Sequence, residues 1–381
     1  MPTNGSRPAL GGATIGDLIR DLRDSLGMSQ SRLATLLGEA AQHETVTRTD
    51  ISRWENGKRT PGGFWLRHLA TVLQTPVEIL EGARVDRRRF LTAAAGTAIA
   101  PLVAADLIER GFAAALHTSP TVEDWAEAVD TYGRDYMTQG AAEIQKRLAA
   151  DLVVLQQQLD APCMWATAAK LATLYAKTFP GSDGAKAVQW YRNAAVFADR
   201  SGDEETRVWV RGRAAIALGY EGAALGVADT LAAQAMAIDG RPSLGMVNAV
   251  MGRAHAAALR GDSATALALV ADGRRAFDVA GSDDAESDYA VPWWRFNIFA
   301  SLLAARLGDE RLAEEVQAEA DRHLPESLPR FRTHLEMHRG LMLVRQGDPA
   351  GVAYARAALD SLPPEKHSLT LRMLMSEIEA A

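Results

Sequence analysis

The chain has almost no cysteine: Cys163 stands alone among 381 residues. An internal disulfide framework and any multi-cysteine metal site are excluded, and the cytoplasm is the expected compartment. Aromatic side chains are also scarce, at 6%, against a hydrophobic content of 48% in which alanine is abundant. That mixture favours helices packed closely through small side chains. From about residue 120 onward no alternating strand pattern is present. No window supplies the roughly 18 uncharged apolar residues, free of glycine and proline, that a bilayer span needs, so no membrane association is expected. The usual catalytic signatures are missing too. The stretch Gly181-Ser182-Asp183-Gly184-Ala185-Lys186 lacks the spacing of a phosphate-cradling loop. There is no His-Glu-x-x-His pair and no nucleophile elbow. His334 and His338, four apart on one helix, lack an evident third metal ligand. The expectation is a protein that is not an enzyme and uses neither cofactor nor metal.

What is present divides unevenly along the chain. The net charge is −7, yet residues 1–90 hold 13 Lys and Arg against 10 Asp and Glu, while the remainder holds 28 against 38. A modestly basic head on an acidic body suits a molecule that touches a polyanion with one end only. Between the two lies Asp86-Arg87-Arg88-Arg89-Phe90-Leu91, followed by an apolar run to Ala100. The order of features is that of a twin-arginine export signal. Because it lies behind a complete candidate domain, it reads instead as a basic hinge leading into a linking helix.

The most informative stretch is Val46 to Pro61. It predicts a short amphipathic helix at about 47–56 that turns out of itself at Gly57. Ile51 and Trp54, three apart, face a core, which leaves Arg48, Thr49, Ser52 and Arg53 on the opposite face. Two arginines on one exposed face, followed by Lys58-Arg59 in a loop, suit a major groove flanked by phosphates. Upstream, Ile15, Leu18, Ile19, Leu22 and Leu26 recur at helical spacing until Gly27, with Thr14 placed to cap. Ser29 then caps a second helix from Gln30 to Leu37, where Gly38 is the expected stop. Further helices are expected at about 63–74 and 76–81.

On these residues the segment 14–81 resembles the helix-turn-helix domain of the Cro/repressor, or XRE, family. The matching elements are Met28-Ser29-Gln30-Ser31-Arg32-Leu33-Ala34 and Ile51 to Pro61. The resemblance implies roles by position. Gln30 would bind a backbone phosphate and brace the recognition helix, and Arg48 and Thr49 would reach base edges. Arg53 would reach bases or backbone; Asn56, Lys58 and Arg59 would hold phosphates. Arg23 and Glu55 occupy positions that form an internal ion pair in relatives. This sequence departs from the family in about seven extra residues between Gly38 and Arg48, and the insertion leaves the start of the recognition helix open.

Beyond residue 120 the chain reads as helices of 14 to 20 residues broken by glycines. Gly140, Gly181, Gly219, Gly261, Gly308 and Gly347 are separated by 41, 38, 42, 47 and 39 residues, and the last three precede aspartate. A period near 40 with a turn in mid-repeat predicts stacked helical hairpins, an α-solenoid. Arg211-Gly212-Arg213-Ala214 and Met251-Gly252-Arg253-Ala254 lie 40 apart, with small residues that let neighbouring helices approach. This body resembles the tetratricopeptide repeat, and the whole layout resembles peptide-responsive and actinobacterial regulators.

The expected fold is therefore all-α, a five-helix head followed by a solenoid. Residues 1–12 form a disordered tail, 13–83 the head, 84–119 the hinge and linking helix, and 120–381 the sensor or dimerisation body. The expected function is transcription regulation on double-stranded DNA, as a homodimer reading a palindrome, because one short helix covers only a half-site. The body would bind a peptide, a small effector or a partner protein. If Gly212 and Gly252 are close-packing positions, Arg213 and Arg253 point to the concave face and stack to hold a carboxylate or phosphate. Trp209, Asn248, Trp294 and Asn297 would line the same groove. The competing reading is an interaction scaffold or antitoxin-like protein with incidental DNA binding.

Overall fold

A computed structural model describes residues 15–42, 46–77, 79–80, 120–139, 141–179 and 184–381. Among these, all regular secondary structure is helical. The expected tail, the hinge and linking helix with its arginine run, and the turns at Gly140 and Gly181 lie outside the described residues. No helix among the described residues is long and apolar enough to cross a membrane.

The head contains α1 (Ile15–Ser25), α2 (Gln30–Ala41), α3 (Arg48–Glu55) and α4 (Gly63–Val72), with helical residues again at 77 and 79–80. Their apolar stripes converge: Leu18, Ile19, Leu22, Leu33, Leu37, Ile51, Trp54, Leu66 and Leu69 are all buried. Gly38 does not stop α2. The helix runs on to Ala41 and ends at Gln42, whose φ of 57° and backbone N–H to Gly38 O close the last turn. Ala40 and Ala41 are strong helix formers, and buried Leu37 anchors the preceding turn, which together outweigh one interior glycine, worth about 1 kcal/mol. Part of the insertion thus extends α2; residues 43–45 lie outside the described set.

The body is a stack of hairpins. They are α5 (Val122–Thr138) with α6 (Ala141–Leu155), α7 (Pro162–Lys177) with α8 (Gly184–Ser201), and α9 (Glu204–Glu221) with α10 (Leu225–Ile238). Then come α11 (Leu244–Leu259) with α12 (Ser263–Ala280), α13 (Trp293–Leu307) with α14 (Glu310–His323), and α15 (Pro329–Arg345) with α16 (Ala350–Asp360). Helix α17 (Leu369–Ala380) ends the stack. The Gly-Asp dipeptides sit at the turns. Gly261, Gly308 and Gly347 have φ of 80°, 68° and 84°, which a side chain would strain. The aspartates that follow accept the N–H groups of Thr265, Leu312 and Ala350, satisfying orphan donors of the next helix.

Gly219 was expected at such a turn and is not there. It lies inside α9, and the turn falls three residues later at Gly222, φ 71°. Its role is close approach instead. A Cβ on Gly219 would come within 2.4 Å of Gly252 O, and one on Gly212 within 2.0 Å of Gly245 O. Helices α9 and α11 therefore touch backbone to backbone through two glycine pairs spaced seven residues apart on each helix. Gly252→Ala should destabilise the protein by about 1–3 kcal/mol, since the added methyl meets Ala215 main chain at 2.5 Å, despite alanine's better helix propensity. Urea unfolding checks this; an unchanged midpoint would contradict the contact.

Head and body share one apolar cluster, running from Leu18 and Leu33 through Ile79 to Val208, Ala214, Val227 and Ala235. Polar ties cross the same boundary. Arg192 pairs with Asp21 at 2.5 Å, and Thr230 Oγ1 donates to Ser25 O at 3.2 Å. The backbone N–H groups of Ala224 and Leu225 donate to Thr75 Oγ1 and Gln74 O, both at 3.3 Å.

His334 and His338 are buried side by side on α15 against Tyr220, whose hydroxyl lies 2.8 Å from His338 Nε2. Among the described residues, three His, Cys, Asp or Glu side chains do not gather around a common point. Burial holds His334 down to about 3 and His255 and His338 well below the ordinary imidazole range, with Arg306 adding to the effect on His255. These rings are neutral when folded, whereas unfolded they take up protons near pH 6.5. Stability should be full above pH 6.5 and fall below it, by about 1.4 kcal/mol per pH unit for each histidine. Unfolding midpoints compared at pH 7 and 5.5 for wild type and His338→Gln test this: the variant should show the shallower pH dependence.

Candidate nucleic-acid interface

Helix α3 begins where Thr47 caps it. Asp50 N–H donates to Thr47 Oγ1 at 3.3 Å, and Thr47 N–H donates back to Asp50 Oδ2 at 3.1 Å, a reciprocal capping box. The Thr47 hydrogen bonds hold the Asp50 carboxyl below its usual range, with the nearby Arg53 contributing. The box sets the helix start at Arg48, the point the insertion left open.

The inner side of α3 is fixed by Ile51 and Trp54, both buried, and by Glu55. The Glu55 carboxylate is only 2% exposed and is held from two other helices. Arg23 Nε and Nη2 of α1 donate to Oε1 and Oε2 at 2.6 and 3.1 Å, the ion pair expected from the resemblance. Gln30 Nε2, at the start of α2, donates to Oε2 at 2.7 Å. Arg20 adds a strap, donating to Glu55 O at 2.7 Å and to Asn56 Oδ1 at 3.3 Å. Gly16 completes the close approach of α1, where a Cβ would lie 2.3 Å from Trp54 O. Arg20 is thus a structural tie between α1 and α3.

The outer side of α3 carries Arg48, Thr49 and Arg53, all exposed, and Ser52, partly so. Arg53 has a carboxylate 3.9 Å away in Asp50 but remains 55% exposed, so it is free to turn outward. Past the helix, Gly57 at φ 65° reverses the chain, and Lys58 N–H closes on Arg53 O at 2.9 Å. That turn presents Lys58 and Arg59 beside the arginine face, both exposed. Two of the expected phosphate ligands are engaged internally. The Asn56 amide donates to Ser52 O at 2.8 Å, and the Gln30 amide is committed to Glu55. Of the roles considered for Gln30, this geometry supports bracing.

The arrangement is a rigid short helix with a cationic outer face, a cationic loop at its end, and a core that fixes its angle. Residues 14–82 match the helix-turn-helix domain family. The chain carries an N-terminal helix-turn-helix domain. No curated protein matches the sequence. Among solved structures, Bacillus thuringiensis PlcR in complex with the peptide PapR7 and DNA aligns over 92% of this chain and all of its own. It does so at 12% identity and a TM-score of 0.29, below that of a shared fold.

The residues expected to line an effector groove are not brought together. Arg213 on α9 is buried and pairs with Asp288 at 2.9 Å. Arg253 on α11 lies instead near Asp229 of α10, at 4.0 Å, so the two guanidiniums do not stack. The physical reason is register: Gly212 meets Gly245 and Gly219 meets Gly252, so the touching positions are 33 residues apart rather than 40, and Arg253 lies about two turns further along the pair than Arg213. Trp209 packs its ring on Tyr289 and lines a separate recess with Lys170 and Pro242. Asn248 and Asn297 are wholly buried, and Trp294 packs edge-on to Phe331 in the core. What sequence reading missed is Asp288, on the loop between α12 and α13, which gathers Lys177, Arg213 and Arg295. The signal for it was the longest glycine interval, 47 residues, which contains that loop.

Glu55→Ala should cost about 3–5 kcal/mol, because Arg23 would be left buried with its main counter-charge gone. Arg23→Ala should cost a similar amount, and the double variant less than the sum of the two. Denaturant titration of the full-length variants measures this; additive losses would contradict the clamp.

Proposed function

We propose that the protein is a sequence-specific DNA-binding transcriptional regulator of the XRE type. Its head spans residues 13–83, its hinge 84–119, and its tetratricopeptide-like body 120–381. The observation that carries the reading is the α3 face. Arg48, Thr49 and Arg53 stand exposed on a helix whose inner side is clamped by Glu55, with Lys58 and Arg59 on the adjoining turn. Base-reading groups need such fixation, because an arginine taking guanine O6 and N7 gains its discrimination, about 1–3 kcal/mol, from bidentate geometry. The loop cations supply the sequence-independent part.

One eight-residue helix covers a half-site, so the active form is a homodimer on a palindrome with half-sites about one helical turn apart. The acidic body is repelled by DNA and acts as the sensor or dimerisation unit in the cytoplasm, taking a peptide, small effector or partner protein.

Mobility-shift titrations across a salt series, on selected and scrambled duplexes, separate the two kinds of contact. Arg53→Ala should weaken the selected site by about 1–3 kcal/mol and relax preference at one base position. Lys58→Ala should weaken all duplexes alike and reduce the salt slope by about one unit. Unchanged binding in both would refute the assignment of α3.

A further inference from the structure

Inside the stack, the first helices of the hairpins surround a chamber. Its outer part has a volume of about 440 Å³ and is walled by Tyr136, Lys177, Glu221 and Arg330, with Lys366, Thr370 and Arg372. It continues inward to a narrower part of about 80 Å³ that reaches Arg213, Tyr220 and Arg295. Apolar wall comes from Met137, Phe179, Phe299 and Phe331.

The charges around this chamber do not balance. At its inner end Asp288, 1% exposed, faces three cations: Lys177, Arg213 at 2.9 Å and Arg295 at 2.7 Å. At the outer part, Lys177, Arg330, Lys366 and Arg372 face Glu221, the single carboxylate among the described lining residues. Arg330 forms no ion pair among the described residues. It donates to Tyr136 O at 2.8 Å and lies over the Tyr136 and Phe331 rings at 5.1 and 5.3 Å. Lys177 Nζ sits 4.2 Å from the centre of the same Tyr136 ring, so one aromatic ring carries two cations. Four cations, Lys177, Arg213, Arg295 and Arg330, therefore meet two carboxylates, Asp288 and Glu221, in a confined space. A buried charge excess of this kind is costly unless an opposite charge completes it. Burial, then the nearby Arg213, push the Lys177 ammonium well below its usual range, and burial lifts the Glu221 carboxyl above its own. The Arg213 contribution at Lys177 is that of a site short of negative charge, whereas Glu221 is raised by its burial, against the opposing pull of Lys177 and Arg213.

We propose that this chamber is the effector site, and that it binds a small anionic ligand by seating a carboxylate or phosphate group between Lys177 and Arg330. A guanidinium and an ammonium converging on one anion give charge-assisted hydrogen bonds from two directions, and the Phe179 and Met137 side takes the apolar remainder of the ligand. Glu221, held by Thr370 Oγ1 at 2.7 Å, opposes the anion and sets its affinity. The inference rests on the reading of the body as a sensor. It also places that sensor next to the head, since Glu221 ends α9 three residues before Ala224, which bonds to Thr75 of the head.

The test is isothermal titration calorimetry of the full chain with inorganic phosphate, citrate, and N-acetyl-trialanine as its free acid and its C-terminal amide. Saturable binding of at least one anion is expected, with the amide weaker than the acid if a peptide carboxylate is the ligand group. Phosphate binding alone would assign the site to a phosphorylated effector. Arg330→Gln should weaken binding at least tenfold, whereas Glu221→Gln, which keeps the Thr370 hydrogen bond, should tighten it. If Arg330→Gln fails to fold by circular dichroism, the opposite sign of the Glu221→Gln effect still decides. No binding by any anion at millimolar concentration, or binding indifferent to both substitutions, overturns the proposal. DNA shift assays run on the same variants keep the two readings apart. Absence of anion binding by the wild type with DNA binding intact counts against the chamber alone, and anion binding without sequence-specific DNA binding counts against the head alone.

Discussion

The helix-turn-helix domain depends on the burial of one carboxylate. Glu55 sits at the end of α3 with almost no contact with water, a position that is unfavourable for an anion unless every lone pair is answered. Arg23 and Gln30 answer it from two other helices, and Arg20 holds the backbone carbonyl of the same residue. Three helices thereby converge on a single group, and the angle of α3 follows from where that group must lie. The arginines on its outer face are exposed because the inner face has no freedom to roll. An apolar core alone would tolerate small rotations of so short a helix; a bidentate ion pair does not.

The body uses a different constraint to the same end. Paired glycines bring α9 and α11 into backbone contact, and the apolar surface of this pair continues without a break into the head. The turn after α9 holds residues 74 and 75 of the head through its own backbone N–H groups. The same helix end presents Glu221 to the cation-lined chamber. A change of charge at Glu221 and a change in the seating of the head are thus separated by a single turn of chain. Proximity of this kind is the physical basis on which a ligand and DNA could be coupled, through a shift in how the turn at Gly222 sits.

Much of the head was legible because its signals are local. An apolar pair three apart and a glycine followed by two cations each act within one turn of helix, so the C-terminal half of α3 was legible, whereas its start, left open by the insertion, is set by the Thr47–Asp50 capping box. The Gly-Asp turns were legible for the same reason. Gly219 misled because glycine serves two purposes, a left-handed turn and a close approach, and sequence spacing does not tell them apart. Gly38 misled because two alanines and a buried leucine outweighed it. Arg213 and Arg253 lie 40 apart in sequence, but α9 and α11 meet in a register of 33, so the two are not level in the stack and only Arg213 reaches the chamber. Asp288 is separated by 111 residues from Lys177 and by 75 from Arg213, and pairings of that range leave no periodic trace in the chain.

The central claim is that the outer face of α3 reads DNA sequence. Selection of bound duplexes from a random-sequence library tests it most directly, with wild type and Arg53→Ala processed in parallel. The account predicts that wild type enriches a two-fold-related motif, and that the variant enriches the same motif with one position in each half-site relaxed. Enrichment of no motif by wild type, or of an identical motif by the variant, would contradict it.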